Sequence, residues 1–172
     1  MDFRKFELIL HSATDLPDVR ELGRMKVYSK VSFSTHSQTE FVTPVDKQGE
    51  KSPFWNCKII SYLTEEAIHK ETTKVSIKLY CQRLFGDRYI GEVNINLKRL
   101  FEYSHPSEIL CFEIDRFDCV GTFGKLNLSY KFGEKEVLDL EKPSRLGKIL
   151  KEGAQILLSL GVEVVVHILT QG

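Results

Sequence analysis

The stretch ELGRMKVYSKVSFS, Glu21 to Ser34, decides how this chain is to be read. Its second half alternates. Val27, Ser29, Val31 and Phe33 fall on one side, and Tyr28, Lys30 and Ser32 on the other. A period of two over a short run marks a β-strand with one face buried. The first half is charged and turns at Gly23, with Lys26 standing just before the alternation starts. It reads as a loop that delivers a strand.

Working outward, the same period returns. FELILHSA (6–13) puts Phe6, Leu8 and Leu10 on one face. TEFVT (39–43), FWNCKIISYL (54–63), KVSIKLYC (74–81), YIGEVNINL (89–97) and EILCFEI (108–114) follow, rich in β-branched and aromatic residues. In KLNLSYKF (125–132), Leu126, Leu128, Tyr130 and Phe132 share a face. Only LTEEAIHK (63–70) and LKRLFEY (97–103) carry a helical period, and both are short. Eight strands at this spacing predict an all-β, antiparallel sandwich.

The character changes after Phe132. Residues 133–145, GEKEVLDLEKPSR, read as a charged linker that ends near a proline. Leu146, Ile149, Leu150, Gly153, Leu157, Leu160 and Val164 then recur at three- and four-residue steps, an amphipathic helix pattern. The division expected is therefore a sandwich over 1–132, a linker over 133–145 and an amphipathic, helical appendage over 146–172. The β-branched run VEVVVHI (162–168) weakens the helix toward its end. Lys151, Glu152 and Glu163 oppose a membrane span. A helix lying on a membrane, or packed on the sandwich or a partner, fits the pattern better.

The chain has 172 residues, with 24 basic residues against 24 acidic. No global field would draw it to nucleic acid, so electrostatic binding has to come from a local patch. Cys57, Cys81, Cys111 and Cys119 form no CxxC pair and match no zinc spacing, and they read as reduced thiols. The opening MDFRKFELIL shows no export signal, and a cytoplasmic protein is expected. The five histidines are scattered. No HExxH, GxSxG, P-loop or paired-carboxylate arrangement is present, so neither an enzyme nor a small-molecule substrate is expected.

FELILHSATDLPDV (6–19), GRMKVY (23–28), TPVDKQGEKSPFWN (43–56), IGEVNINL (90–97) and GKLNLSYKF (124–132) together resemble the C2 domain. More narrowly they are similar to the small plant C2 proteins of the cold-regulated, stress-response type. Pro53-Phe54-Trp55-Asn56 and Ile90-Gly91-Glu92-Val93 are the most specific matches. The resemblance implies an eight-stranded sandwich of the circularly shifted topology, with no extra leading strand. It also implies a role in membrane-linked stress or defence signalling.

The resemblance further implies a calcium site built from two loops, 13–28 and 81–89. Calcium takes six to eight oxygen ligands, several of them carboxylates. Here Lys26 stands where the acid before the tyrosine motif would be, and Cys81 and Arg83 stand where paired acids would begin the second loop. Asp87 matches a ligand position, and Asp18 is a second candidate, although an ungapped match puts Arg20 there. A fixed positive charge opposes the ion as well. Calcium binding is expected to be lost, with no cofactor. Cys81 is read as a strand-end thiol at the head of a loop, with a redox role beside Arg83 as the alternative.

The basic residues could instead meet anionic phospholipid permanently. Arg20, Arg24, Lys26, Arg83 and Arg88 would face the headgroups, with Leu84 and Phe85 inserting shallowly. The protein would then be a calcium-independent adaptor, peripheral at a plasma or endomembrane. Against this, Asp15, Asp18, Glu21, Asp46, Glu50 and Asp87 nearly balance the loop charges. A signalling-protein partner without meaningful lipid binding is the alternative.

Overall fold

Two strands of 13 residues lie side by side at the centre of one sheet: β1, Asp2–Thr14, and β8, Lys125–Val137. The computed structural model describes residues 2–34, 40–103, 108–117, 120–121, 123–137 and 163–164. Between β1 and β8 run β2 (Val27–Phe33), β3 (Glu40–Val42), β4 (Phe54–Thr64), β5 (Lys74–Cys81), β6 (Arg88–Asn96) and β7 (Leu110–Glu113). These are the eight strands expected from the alternation. Helix α1 (Glu65–His69) and helix α2 (Leu97–Tyr103) occupy the two short helical stretches.

One sheet has the order β7-β8-β1-β4 and the other β3-β2-β5-β6, with every neighbour in them antiparallel. Phe6, Leu8 and Leu10 of β1 point into the space between the sheets, toward Val31, Phe33, Ile77 and Leu79. Phe6 meets Phe33 of the opposite sheet edge-on, with ring centroids 6.0 Å apart. Each such side chain removed from water contributes about 1.5–3 kcal/mol. The alternation in the sequence is therefore a record of which side chains this space takes up.

The central strands outrun the expectation. β8 continues past Phe132 to Val137, into the charged stretch read as linker. The cause is β1, which already begins at Asp2. Asp2 pairs with Val137 and Arg4 with Lys135, and Lys135 bonds to the Asp2 carboxylate. A ninth strand, β9 (Glu163–Val164), lies parallel to the outer edge of β4, with Ile59 opposite Glu163. These two residues are extended, as the β-branched run around them favours. The helix expected over 146–169 otherwise lies outside the described residues.

The strand pairing gathers four loops at one end. Thr14 opposes Lys125, and Cys81 opposes both Val27 and Arg88. The β1–β2, β5–β6 and β7–β8 loops thus emerge together. The β3–β4 loop joins them through reciprocal backbone bonds between Val27 and Asp46, at 3.0 and 2.8 Å.

Candidate functional site

The loop end is tied together by polar contacts made within it. Arg83, half-buried in the β5–β6 loop, donates through Nε to the carbonyl of Val19 at 2.8 Å, and its terminal nitrogen reaches the same oxygen. The backbone N–H of Gln82 donates to Lys26 O at 2.7 Å. Leu16 N–H donates to Lys51 O at 3.0 Å, which joins the β1–β2 loop to the β3–β4 loop.

Asp87 is occupied on both oxygens. Tyr28 Oη donates to its Oδ2 at 2.5 Å, and the Arg83 backbone N–H donates to its Oδ1 at 3.2 Å. Burial raises the Tyr28 pKa well above the ordinary phenol range, and the bond to the Asp87 carboxylate raises it further. Asp46 is likewise committed. It accepts from the N–H groups of Phe54, Gln48 and Gly49 at 2.6, 2.7 and 2.9 Å. Burial alone would raise its pKa, but these three donors outweigh it and hold the carboxyl below the usual range.

The charges sort into two sets. Arg20 is neutralised by Asp18 at 3.1 Å and Glu50 at 3.5 Å. Arg24, Lys26, Lys47, Lys51 and Arg88 are exposed and make no ion pair among the described residues. Of the acids, Asp15 and Glu21 are the exposed ones without a side-chain partner among the described residues. The end as a whole stays near neutral, but the groups free to meet a ligand are mostly cationic.

Apolar side chains stand out at the same place. Leu84 and Phe85 are each 85 % exposed at the tip of the β5–β6 loop, where Gly86 takes a φ of +110°. Leu22 is 90 % exposed in the β1–β2 loop, beside Gly23 at φ +70°. Sequence reading missed Leu22. The available signal was a lone leucine inside a charged, turn-forming run. Cys81, by contrast, is 1 % exposed, with its Sγ 3.7 Å from Gln82 O. A thiol so enclosed is unsuited to a surface redox role.

The residues present do not fit a calcium ion. Of the positions that would supply carboxylates, Lys26 and Arg83 are cations and Cys81 is a buried thiol. Asp87 would first have to release Tyr28 and the Arg83 N–H. Among the described residues, no group of three or more His, Cys, Asp or Glu could hold a metal.

A family model described as "C2 domain" matches residues 4–112. Protein SRC2 of Glycine max is 30 % identical over 159 residues, covering 88 % of this chain and 54 % of that protein. A Protein SRC2 homolog of Arabidopsis thaliana is 28 % identical over 138 residues, covering 78 % of this chain and 42 % of that protein. The chain therefore spans about half the length of these relatives. Among solved structures, a single C2 domain, domain A, of plant Extended Synaptotagmin 1 superposes with a TM-score of 0.60 at 17 % identity, covering 76 % of this chain and 94 % of that one. The tandem C2 domains, A and B, of Extended-Synaptotagmin 2 give a TM-score of 0.60 at 19 % identity, covering 87 % of this chain and 47 % of that one. At such identities the structural likeness concerns the fold.

Proposed function

The chain belongs to the C2 domain family, and from that premise we propose that it docks on anionic phospholipid, without calcium, through the β1–β2 and β5–β6 loops. One observation carries this reading. Leu84 and Phe85 are exposed at the same end of the sandwich as the exposed cations Arg24, Lys26 and Arg88. Cationic groups beside shallow apolar tips suit a membrane interface, where each Lys or Arg near an anionic surface contributes about 1 kcal/mol. Arg83 and Arg20 have a different part. They hold the loops in place, and the cross-link that an ion would supply is supplied by a guanidinium.

The role that follows is a non-enzymatic adaptor, peripheral at a membrane, in the stress or defence signalling that the sequence resemblance implies. No helix among the described residues is long and apolar enough to cross a membrane. The near-neutral balance of the loop end favours a second reading, a protein-interaction module with no lipid affinity.

Co-sedimentation of the full chain with phosphatidylserine vesicles, in calcium and in chelator, separates the two. Equal binding in both, lost in high salt, is expected. Reversing Arg24, Lys26 and Arg88 to Glu together should weaken binding on the order of a hundredfold. Binding that requires calcium would overturn the calcium-independent reading. No vesicle binding at all would leave the protein-interaction module.

A further inference from the structure

We propose that the β7–β8 loop is a further membrane anchor, with Phe117 and Val120 entering the same bilayer as Leu84 and Phe85. The proposal rests on the membrane docking proposed for the β1–β2 and β5–β6 loops and extends it to the loop beside them. Phe117 is 101 % exposed and Val120 is 107 % exposed, as open to water as side chains can be. Singly exposed apolar side chains are ordinary, so what matters is that these two share one loop and stand at the same end of the sandwich as Leu22, Leu84 and Phe85.

The loop is placed by the fold to share that surface. Its far end, Lys125, pairs with Thr14 at the root of the β1–β2 loop. Its near end is clipped to the other sheet, where Glu92 N–H donates to Asp115 O at 2.8 Å and Asp115 N–H donates to Glu92 O at 2.9 Å. Arg116 lies over the rings of Tyr89 and Phe123, at 5.9 and 5.4 Å from their centroids. Tyr89 lies at the start of β6, next to Arg88, so the base of one loop is packed on the base of the other.

The arrangement selects a bilayer over a protein partner. The apolar groups at this end stand on separate loops: Leu22, the Leu84–Phe85 pair, the Phe117–Val120 pair, and Phe54, exposed where the β3–β4 loop enters β4. Protein interfaces bury a contiguous, closely packed patch with a central hot spot. Separate tips rimmed by the exposed Arg24, Lys26 and Arg88 suit a fluid layer that closes around each one, with anionic headgroups meeting the cations. Phe is also at home at the level of the acyl boundary.

The test uses the full chain with vesicles of phosphatidylcholine and phosphatidylserine whose acyl chains carry bromine. The chain's single tryptophan, Trp55, is half-buried with Nε1 donating to Val27 O at 3.1 Å, and supplies the baseline. A tryptophan introduced by Phe117→Trp should shift its emission to the blue and be quenched, while the wild-type emission is not. The double change Phe117→Ser with Val120→Ser should weaken vesicle binding by roughly tenfold. Unquenched Phe117→Trp, with the double variant binding like wild type, would overturn this inference and leave the membrane reading standing. Failure of the wild type to bind these vesicles would overturn both.

Discussion

Arg83 of the β5–β6 loop is bonded to the carbonyl of Val19 in the β1–β2 loop, with Nε at 2.8 Å. A half-buried guanidinium thus joins the two loops between which the sequence resemblance implies a calcium site. Arg83→Ala should cost about 1–2 kcal/mol in urea unfolding, the range for a bond to a charged group that water partly reaches. Arg83→Lys should recover only part, because an ammonium lacks the planar fork. A wild-type midpoint for Arg83→Ala would show that the strut contributes nothing.

Restoring an acid at Lys26 should not create a calcium site. In Lys26→Asp, Asp87 still accepts from Tyr28 and the Arg83 N–H, and Arg83 still brings its charge. Terbium luminescence or calorimetry on this variant is expected to show no binding at micromolar ion. Saturable micromolar binding would mean that the Tyr28–Asp87 bond yields readily.

The sandwich should weaken in alkali. Tyr28 has a raised pKa, first from burial and then from Asp87, and burial raises Tyr89 as well. A group whose folded pKa lies above its unfolded value stabilises fully below the unfolded value, about 10 for tyrosine, and less as pH climbs past it. Urea midpoints should therefore fall above about pH 10. Tyr28→Phe should flatten that fall and cost about 1 kcal/mol at neutral pH. Identical slopes for variant and wild type would sink this account.

Asp46 works in the opposite direction. Its carboxyl is held low by the Phe54, Gln48 and Gly49 N–H groups against the opposing effect of burial. Its contribution is present above the unfolded pKa, about 3.9, and disappears as pH falls below that. Asp46→Ala should lose about 1–2 kcal/mol at neutral pH and show a shallower acid limb than wild type. An unchanged acid limb would assign that slope to other carboxylates.

Two glycines at positive φ should respond differently. At Gly124, φ +95°, a Cβ would run into the backbone oxygens of Thr14 and Asp15. Gly86, φ +110°, faces open space. Gly86→Ala should cost about 1 kcal/mol, for backbone conformation alone. Gly124→Ala should cost more than about 2 kcal/mol, because β1 and β8 must part to admit it. Thermal unfolding of the pair checks the difference, and equal losses would exclude the packing argument.

Much of the fold was legible because each strand buries one face. Val27, Val31 and Phe33 declare their side by alternation, and Leu126, Leu128 and Tyr130 do the same. The ends of β1 and β8 were not legible. Asp2–Lys5 and Gly133–Val137 are charged in sequence and become strand only by pairing with each other, which no local window records. At the loop end, the residue types were visible and their partners were not. Arg83 and Arg88 look alike in sequence, yet one is bonded to Val19 and the other is free among the described residues. Cys81 is buried by its inward place at the end of β5, in keeping with the strand-end thiol read from the sequence and not with the redox alternative.

The position of β1 between β4 and β8 has a consequence during synthesis. At about 5–20 residues per second, the ribosome delivers β4 seconds before β8 exists. Over that interval β1 can pair along one side only, and its other row of N–H and C=O groups is open to neighbouring nascent chains. Arg4, Lys5 and Glu7 lie along that strand, and Lys5 and Lys58 both bond to Glu7 in the finished protein. Charges that are paired with one another in the completed sandwich are placed where, in a half-made one, they can keep its open edge from joining a copy.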